Sequence, residues 1–295
     1  MRDLDISIVN YKTRNLTEKC LKSIFSKRWG IKYQVWIVDN GSGDGSLEYL
    51  QRNFSRAAFI KSNKNLGYAG GHNLVLMNLD ARYVLLLNSD TEVNKKTLDL
   101  MVSFMDDRRE VGIASCKVLG YDNEIQPNGG DLPFGLSLIG WLFNLELFGI
   151  NKPSFHREES SYYENLHEAG WVSGSFMMVR KEVFEKIGLL NEKYFMYFED
   201  VDFCYRARKA GFKVMINSET SIKHLSGGSS DDPKFRQWLG EYKGLIRFYK
   251  NQFGWISALF VKLLIYISVL LRVAAFLLMG KVNYSKTYVK TIVSL

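Results

Sequence analysis

The sequence predicts an α/β protein with a mostly parallel central sheet flanked by helices, followed by a basic, apolar helical extension. Three observations carry this. Short β-rich runs alternate with helix-length stretches over the first 120 residues. Polar and acidic residues stand just after each run, where ligands bind in such sheets. The charge is also unevenly divided: 39 Lys and Arg against 31 Asp and Glu give +8 overall, while Lys234 to Leu295 holds ten basic residues and only Glu241 as an acid.

In order, Ile6–Asn10 reads as a strand, followed by an amphipathic helix around Leu16, Cys20, Leu21 and Ile24. Gln34–Asp39 is a second strand, leading through a Gly/Ser loop to a helix near Leu47–Leu50. Ala57–Ile60 leads to NKNLGYAGGHN and another helix; Tyr83–Leu87 ends in Asn-Ser-Asp; a helix from Lys95 to Asp107 precedes a strand at Gly112–Val118. The strand ends carry Asn10-Tyr11, Asp39-Asn40, Asn65 to Gly71 and Asn88 to Asp90.

Two nucleotide folds are excluded. A dinucleotide fingerprint needs GxGxxG after the first strand, where this chain has NYKTRN, and no GxxxxGK[ST] occurs. The polar first turn suits hydrogen bonding to a base or sugar. Three scattered cysteines in no metal-like spacing exclude a disulfide scaffold and fit a reducing cytoplasm. Met1–Asn10 carries Asp3 and Asp5 and no long apolar run, so no secretion signal is expected.

The acidic residues read two ways. Asp39 is either a turn residue or an acceptor for the ring N–H of a uracil or thymine. Asp90, after an apolar strand, is either a helix cap or a Mg²⁺ or Mn²⁺ ligand beside a diphosphate. Glu199, Asp200 and Asp202 form the acidic first turn of a helix, with Arg206 four residues from Asp202, or supply a carboxylate shielded by the preceding aromatics and raised in pKa as a general base. His224, which ends a strand-like run, is either a structural histidine or part of a sensible Mn²⁺ set with a carboxylate and a diphosphate. The aromatics of Gly120–Glu168, with Trp141, Phe143 and Trp171, form either an acceptor-side lid or a hydrophobic core.

The tail decides the sign of its partner. Trp255–Gly280 is apolar apart from Lys262, Arg272 and a few hydroxyls, which excludes a nucleic-acid arm. It is long enough to span a bilayer, but each cation at a helix centre costs about 2.5–3.5 kcal/mol. The two lie about 80° apart around a helix, which suits a helix in the membrane interface with its charges toward phosphates. Lys243, Arg247, Lys250, Lys281, Lys286 and Lys290 flank it, so an anionic membrane surface is the expected partner through residues 243–290. A core or oligomer helix and a true span are the other readings.

The ordered series SIVNYK, IVDNGSGDGS, NKNLGYAGGHN, LLLNSD, GWVSGSFMMVRKEVFEKIG, FEDVDFCYRARKAG and HLSGG resembles family 2 glycosyltransferases of the GT-A fold, in the bacterial rhamnosyltransferase-like branch. The resemblance covers about residues 4–230 and stops short of the tail. It implies a GT-A domain over 1–233, with a nucleotide-sugar half to about 120 and an acceptor-binding, catalytic half over about 121–233, then the membrane-surface tail over 234–295. It puts the family's DXD motif at Asn88-Ser89-Asp90, with Asn88 in place of the first Asp and Asp90 as the metal carboxylate. It further implies that Asn10, Tyr11, Asp39 and Asn40 meet the nucleotide. The loop from Asn65 through Gly67 to Asn73 would close over it, Asp200 would be the base, Glu199 would orient the acceptor, and His224 would be a further metal contact.

The function so implied is inverting, metal-dependent transfer of a sugar from a dTDP- or UDP-linked donor. L-rhamnose from dTDP-rhamnose is the favoured donor, with a lipid-linked or cell-surface polysaccharide hydroxyl as acceptor. The site is the cytoplasmic face of a bacterial or archaeal membrane. A UDP-hexose-using enzyme of the same fold, a sugar nucleotidyltransferase and a catalytically silent nucleotide-sugar-binding scaffold are the alternatives.

Overall fold

The computed structural model describes residues 1–145, 154–225 and 233–295. Its packing divides into two compact units. The first comprises residues 1–132, 156–195 and 200–225, and the second comprises 133–145, 154–155, 196–199 and 233–295. Residues 133–145 and 154–155 thus group with the tail, although the sequence reading assigns them to the second half of the α/β domain. Ser226, Gly227 and Gly228 of the HLSGG motif lie outside the described residues.

The first unit begins with β1 (Arg2–Asn10), α1 (Arg14–Phe25), β2 (Tyr33–Asn40), α2 (Ser46–Asn53), β3 (Ala58–Ser62), α3 (Gly67–Leu76) and β4 (Ala81–Asn88). Then come β5 (Thr91–Val93), α4 (Thr97–Asp107), β6 (Val111–Leu119) and β7 (Gly129–Gly130). After α5 (Gly135–Phe143), which belongs to the second unit, follow β8 (His167–Glu168), β9 (Trp171–Val172), β10 (Phe176–Arg180), α6 (Lys181–Ile187), α7 (Glu199–Lys209) and β11 (Lys213–His224). The main sheet runs β3-β2-β1-β4-β10-β6-β11-β5, with β8 beside β11. Six strands share one direction, because β1 pairs in parallel with β2 and β4, β2 with β3, and β6 with β11. β10 runs the other way between β4 and β6.

Composition explains these elements. β4 buries Tyr83 through Leu87 without interruption, as a central strand covered on both faces must. α1 buries Thr17, Cys20, Leu21 and Ile24, one face at three- and four-residue spacing. α3 starts at Gly67, whose φ of 72° only glycine adopts without strain and where a Cβ would collide with the Phe195 carbonyl. The segment from Asn65 to Asn73, expected as a loop closing over a ligand, is therefore helical from Gly67 onward and packed against Phe195.

The second unit holds α5, α8 (Pro233–Phe253), α9 (Trp255–Leu278) and α10 (Val282–Val293). Trp141 stacks near Phe155, Phe198 and Tyr242, so it belongs to this unit's core rather than to a lid. Tyr197 and Phe198 have φ of 71° and 75°, a strained backbone for two aromatics. They fit because α8 offers Gly240 and Gly244, where a Cβ would strike the Tyr197 and Phe198 side chains respectively. Ala normally favours a helix interior over Gly by about 1 kcal/mol. At Gly244 the sign reverses: Gly244→Ala is expected to destabilise by about 1–3 kcal/mol through overpacking, seen as a lower Tm, whereas a higher Tm would contradict this packing.

Candidate functional site

Because the six co-directed strands end on one edge, Asn10, Asp39-Asn40, Asn88 and His224 all come to that edge. At its first end the interior is polar but satisfied. The Asn10 amide donates to Asp39 (3.2 Å), Ser42 (3.1 Å) and Ser46 (3.1 Å), and its carbonyl accepts from Thr13 (3.1 Å) and Thr17 (2.9 Å). Thr13 also meets the Ser89 hydroxyl at 3.1 Å, so one network runs from Asp39 to the Asn88–Asp90 turn. Asp39 is 3% exposed and also accepts from the Ser42 N–H (3.4 Å). A carboxylate has about four acceptor positions, so capacity for a ligand N–H remains. Tyr11, which follows Asn10, is exposed.

Asn40 is a clamp. Its amide donates to Asn65 Oδ1 (3.1 Å) and the Gly67 carbonyl (3.1 Å), and its Oδ1 accepts the Leu66 N–H (3.0 Å). Asn65 Oδ1 further accepts the Gly67 N–H at 2.9 Å. Asn73 departs from expectation. It is buried, donates to the Leu190 carbonyl (2.9 Å) and Glu192 (2.9 Å), and accepts from the Leu190 N–H (3.2 Å). Both hydrogens of its amide are used in fastening α3 to residues 190–192.

The sharpest grouping is at the far end. His224 Nε2 lies 3.3 Å from Asp90 Oδ1 and 3.3 Å from Asn88 Nδ2, and both acidic and imidazole side chains are 14% exposed. Strand pairing enforces this, since His224 is opposite Thr91 and the Leu225 N–H donates to the Asp90 carbonyl (3.0 Å). An imidazole lone pair facing a carboxylate repels unless a cation or proton lies between them, so the donor set fits a divalent ion. Two protein ligands plus ligand oxygens is the usual number for Mg²⁺ and Mn²⁺. Among the described residues no group of three His, Cys, Asp or Glu gathers in this way.

Asp200 reaches the same edge by another path. Gly174 N–H donates to its Oδ2 (3.3 Å) and Val201 N–H to its Oδ1 (2.8 Å). The residue after Gly174, Ser175, accepts the Asn88 N–H through its carbonyl (3.1 Å), so Asp200 and the Asn88–Asp90 turn are tied to one short segment. Burial pushes the Asp200 carboxyl up to about 6, partly opposed by those N–H groups. Asp202, two residues on, is instead paired with Arg206 at 2.8 Å, as the helix spacing predicts. Glu199 is buried at the start of α7.

Sequence reasoning passed over Thr13, Thr17, Ser42 and Ser46, whose hydroxyls build the buried network, and Gln126, which bonds His224. The hydroxyls carried a faint signal, three and seven residues past Asn10 and within the Gly/Ser loop. Gln126, 98 residues from His224, carried none.

The architecture recurs in a solved mannosyltransferase of Pyrobaculum calidifontis, titled as a complex with GDP-Man and Mn²⁺. It is 14% identical with a TM-score of 0.57, covering 99% of this chain and 85% of that one. A fold of this kind, with its site at the strand ends, is that of the GT-A glycosyltransferases. The model of glycosyl transferase family 2 matches residues 5–188, and the chain belongs to that family. The match includes Asn10 through Asp90 but ends before Asp200 and His224, whose assignment rests on the geometry.

The chain is 33% identical over 218 residues to the low-salt glycan biosynthesis hexosyltransferase Agl10 of Haloferax volcanii, spanning 72% of this chain and 64% of that protein. It is 27% identical over 215 residues to the N-acetylglucosaminyl-diphospho-decaprenol L-rhamnosyltransferase of Mycobacterium tuberculosis, spanning 68% and 69%.

The raised Asp200 carboxyl gives a stability prediction. Its ionised form is penalised by burial, so wild-type stability is lost as pH rises from about 4 toward 6 and beyond. Asp200→Asn should therefore gain in Tm relative to wild type between pH 4.5 and 7.5, by at most about 3 kcal/mol of stability. Parallel curves across that range would contradict the shift.

Proposed function

We propose that this protein transfers a sugar from a nucleoside-diphosphate donor to a glycan hydroxyl by a single inverting displacement. The observation that carries the proposal is Asp200, a carboxylate raised to about 6 and tied through Gly174-Ser175 to the Asn88–Asp90 turn. Asp90 and His224, with Asn88 and Ser89 beside them, would hold the divalent cation. Bound there, the cation supplies Lewis-acid stabilisation of the departing diphosphate.

Asp200 accepts the proton of the acceptor hydroxyl as its oxygen bonds to the anomeric carbon and the bond to the nucleoside diphosphate breaks. Asp39 offers an acceptor for a pyrimidine N–H, and Tyr11 an exposed ring. Asn10, Asn40, Asn65 and Gly67 hold the loops that carry these groups, and Glu199 would orient the acceptor.

The relative named as an L-rhamnosyltransferase acting on a diphospho-decaprenol favours dTDP-rhamnose and a lipid-linked acceptor. The relative named as a hexosyltransferase favours a UDP-hexose as the second reading.

A general base contributes about 10²–10⁴ in rate. Asp200→Asn should lose transfer by that factor while still binding the nucleoside diphosphate, measured by product formation and calorimetry; unchanged transfer would contradict the assignment. The wild-type rate should fall as pH drops through about 6, to about a tenth of its plateau one unit below.

We further propose that the second unit rests on the cytoplasmic face of an anionic membrane, in a changed orientation from the sequence reading. Arg272 is turned inward. It donates to Tyr288 (2.7 Å), to the last-turn carbonyls Trp141 (2.6 Å) and Leu142 (3.1 Å) of α5, and to Asn144 (2.6 Å). Lys262 reaches the Leu295 carbonyl oxygen at 3.4 Å. Neither cation therefore points at lipid phosphates.

What α9 leaves exposed is apolar throughout: Trp255, Leu259, Phe260, Leu263, Leu270 and Leu271 among others. Meanwhile Lys243, Arg247 and Lys250 line one exposed face of α8 at i, i+4, i+7. That division of apolar and basic faces supports interfacial seating. The double variant Leu263→Glu, Leu270→Glu should lose sedimentation with phosphatidylglycerol vesicles while keeping its Tm; undiminished sedimentation would contradict the seating.

A further inference from the structure

Gln126 makes two contacts with one residue. Its Nε2 donates to the backbone carbonyl of His224 at 3.0 Å, and its Oε1 faces His224 Nδ1 at 3.0 Å. The amide cannot be turned over, because the His224 carbonyl can only accept. Oε1 in turn can only accept, so Nδ1 must carry the hydrogen. A neutral imidazole with hydrogen on Nδ1 has its lone pair on Nε2, the atom 3.3 Å from both Asp90 Oδ1 and Asn88 Nδ2. Asn88 Nδ2 donates, which agrees with a lone pair there.

Gln126 is itself anchored. Its backbone N–H donates to the Val118 carbonyl (2.8 Å), and its segment closes back on β6 through the Leu119–Ile125 bridge.

We propose that Gln126 is a positioning residue that selects the Nδ1–H form of His224 and so presents the Nε2 lone pair to a divalent cation shared with Asp90. The inference rests on the cation-site reading given above. The amide also fixes the ring plane by gripping the same residue's main chain. Outer-shell partners of a metal-binding histidine set its orientation and basicity, and losing one costs about 10–100-fold in metal affinity. Glu at this position would still accept from Nδ1–H while losing the donor to the His224 carbonyl, whereas Ala would lose both contacts.

The test uses the full chain and Mn²⁺ alone, with free Mn²⁺ followed by electron paramagnetic resonance and ring nitrogens by ¹⁵N correlation spectra. The wild type should show His224 protonated on Nδ1. Gln126→Ala should bind Mn²⁺ about 10–100-fold more weakly and give a mixture of ring forms, while Gln126→Glu stays within a few fold of wild type. Hydrogen on Nε2 in the metal-free wild type would overturn the proposal without recourse to any variant. Wild-type Mn²⁺ affinity in Gln126→Ala, with His224→Ala weakened, would overturn the role of Gln126 and leave the cation site standing. Unchanged affinity in His224→Ala would remove the site itself, and this inference with it.

Discussion

His224 Nε2 and Asp90 Oδ1 face each other across 3.3 Å, and neither atom has a hydrogen to offer the other when Nδ1 carries the imidazole hydrogen. Such a pair is costly unless something positive is shared. The sheet holds it in place regardless: β11 is pinned to β5 from Ile222 to His224 and to β6 over Lys213–Asn217 and Ser221–Lys223. Four strands away, β1 delivers Asn10 to the same edge through parallel pairing with β4. The fold thus holds an acceptor pair to which, at 3.3 Å, the Asn88 amide turns a donor, and on the proposed reading a divalent cation would be shared by the pair.

The two acids at the start of α7 illustrate how environment divides labour. Asp202 has Arg206 at 2.8 Å and is nearly inaccessible, so its charge is compensated and structural. Asp200 accepts from the Gly174 and Val201 backbone N–H groups, and burial raises it to about 6. Two carboxylates two positions apart in sequence therefore differ in the task each can perform. The buried asparagines follow a related logic. Asn10 and Asn40 use their amides to hold loops and helix starts, leaving Asp39 and the Asn88–Asp90 turn as the groups with capacity to spare.

Much of the first unit was legible because its signals are local. β1 to β4 and α1 are marked by apolar runs and three- and four-residue spacing, and the strand ends announced Asn10, Asp39, Asn88 and Asp90. What escaped depends on contacts distant in sequence. The family resemblance makes Asn65 to Asn73 a loop closing over the nucleotide, yet Gly67 serves close approach to Phe195 and the chain is helical from there onward. Asn73 reads as a site residue by motif, yet its partners are Leu190 and Glu192. Arg272 reads as a lipid-facing charge from the helical wheel, which carries no information about the carbonyls of α5. The grouping of residues 133–145 and 154–155 with the tail is likewise set by packing, through residues such as Trp141 and Tyr249 that meet their partners more than 80 residues away.

The account is tested most directly by the linkage between cation and nucleotide. Isothermal titration of UDP and of dTDP, each with Mn²⁺ and again in EDTA, would be compared for wild type and Asp90→Asn. If Asp90 and His224 hold an ion against the diphosphate, Mn²⁺ should tighten nucleotide binding by about tenfold or more in the wild type, and this enhancement should vanish in Asp90→Asn. Equal affinity for both nucleotides with and without the metal in the wild type would contradict it.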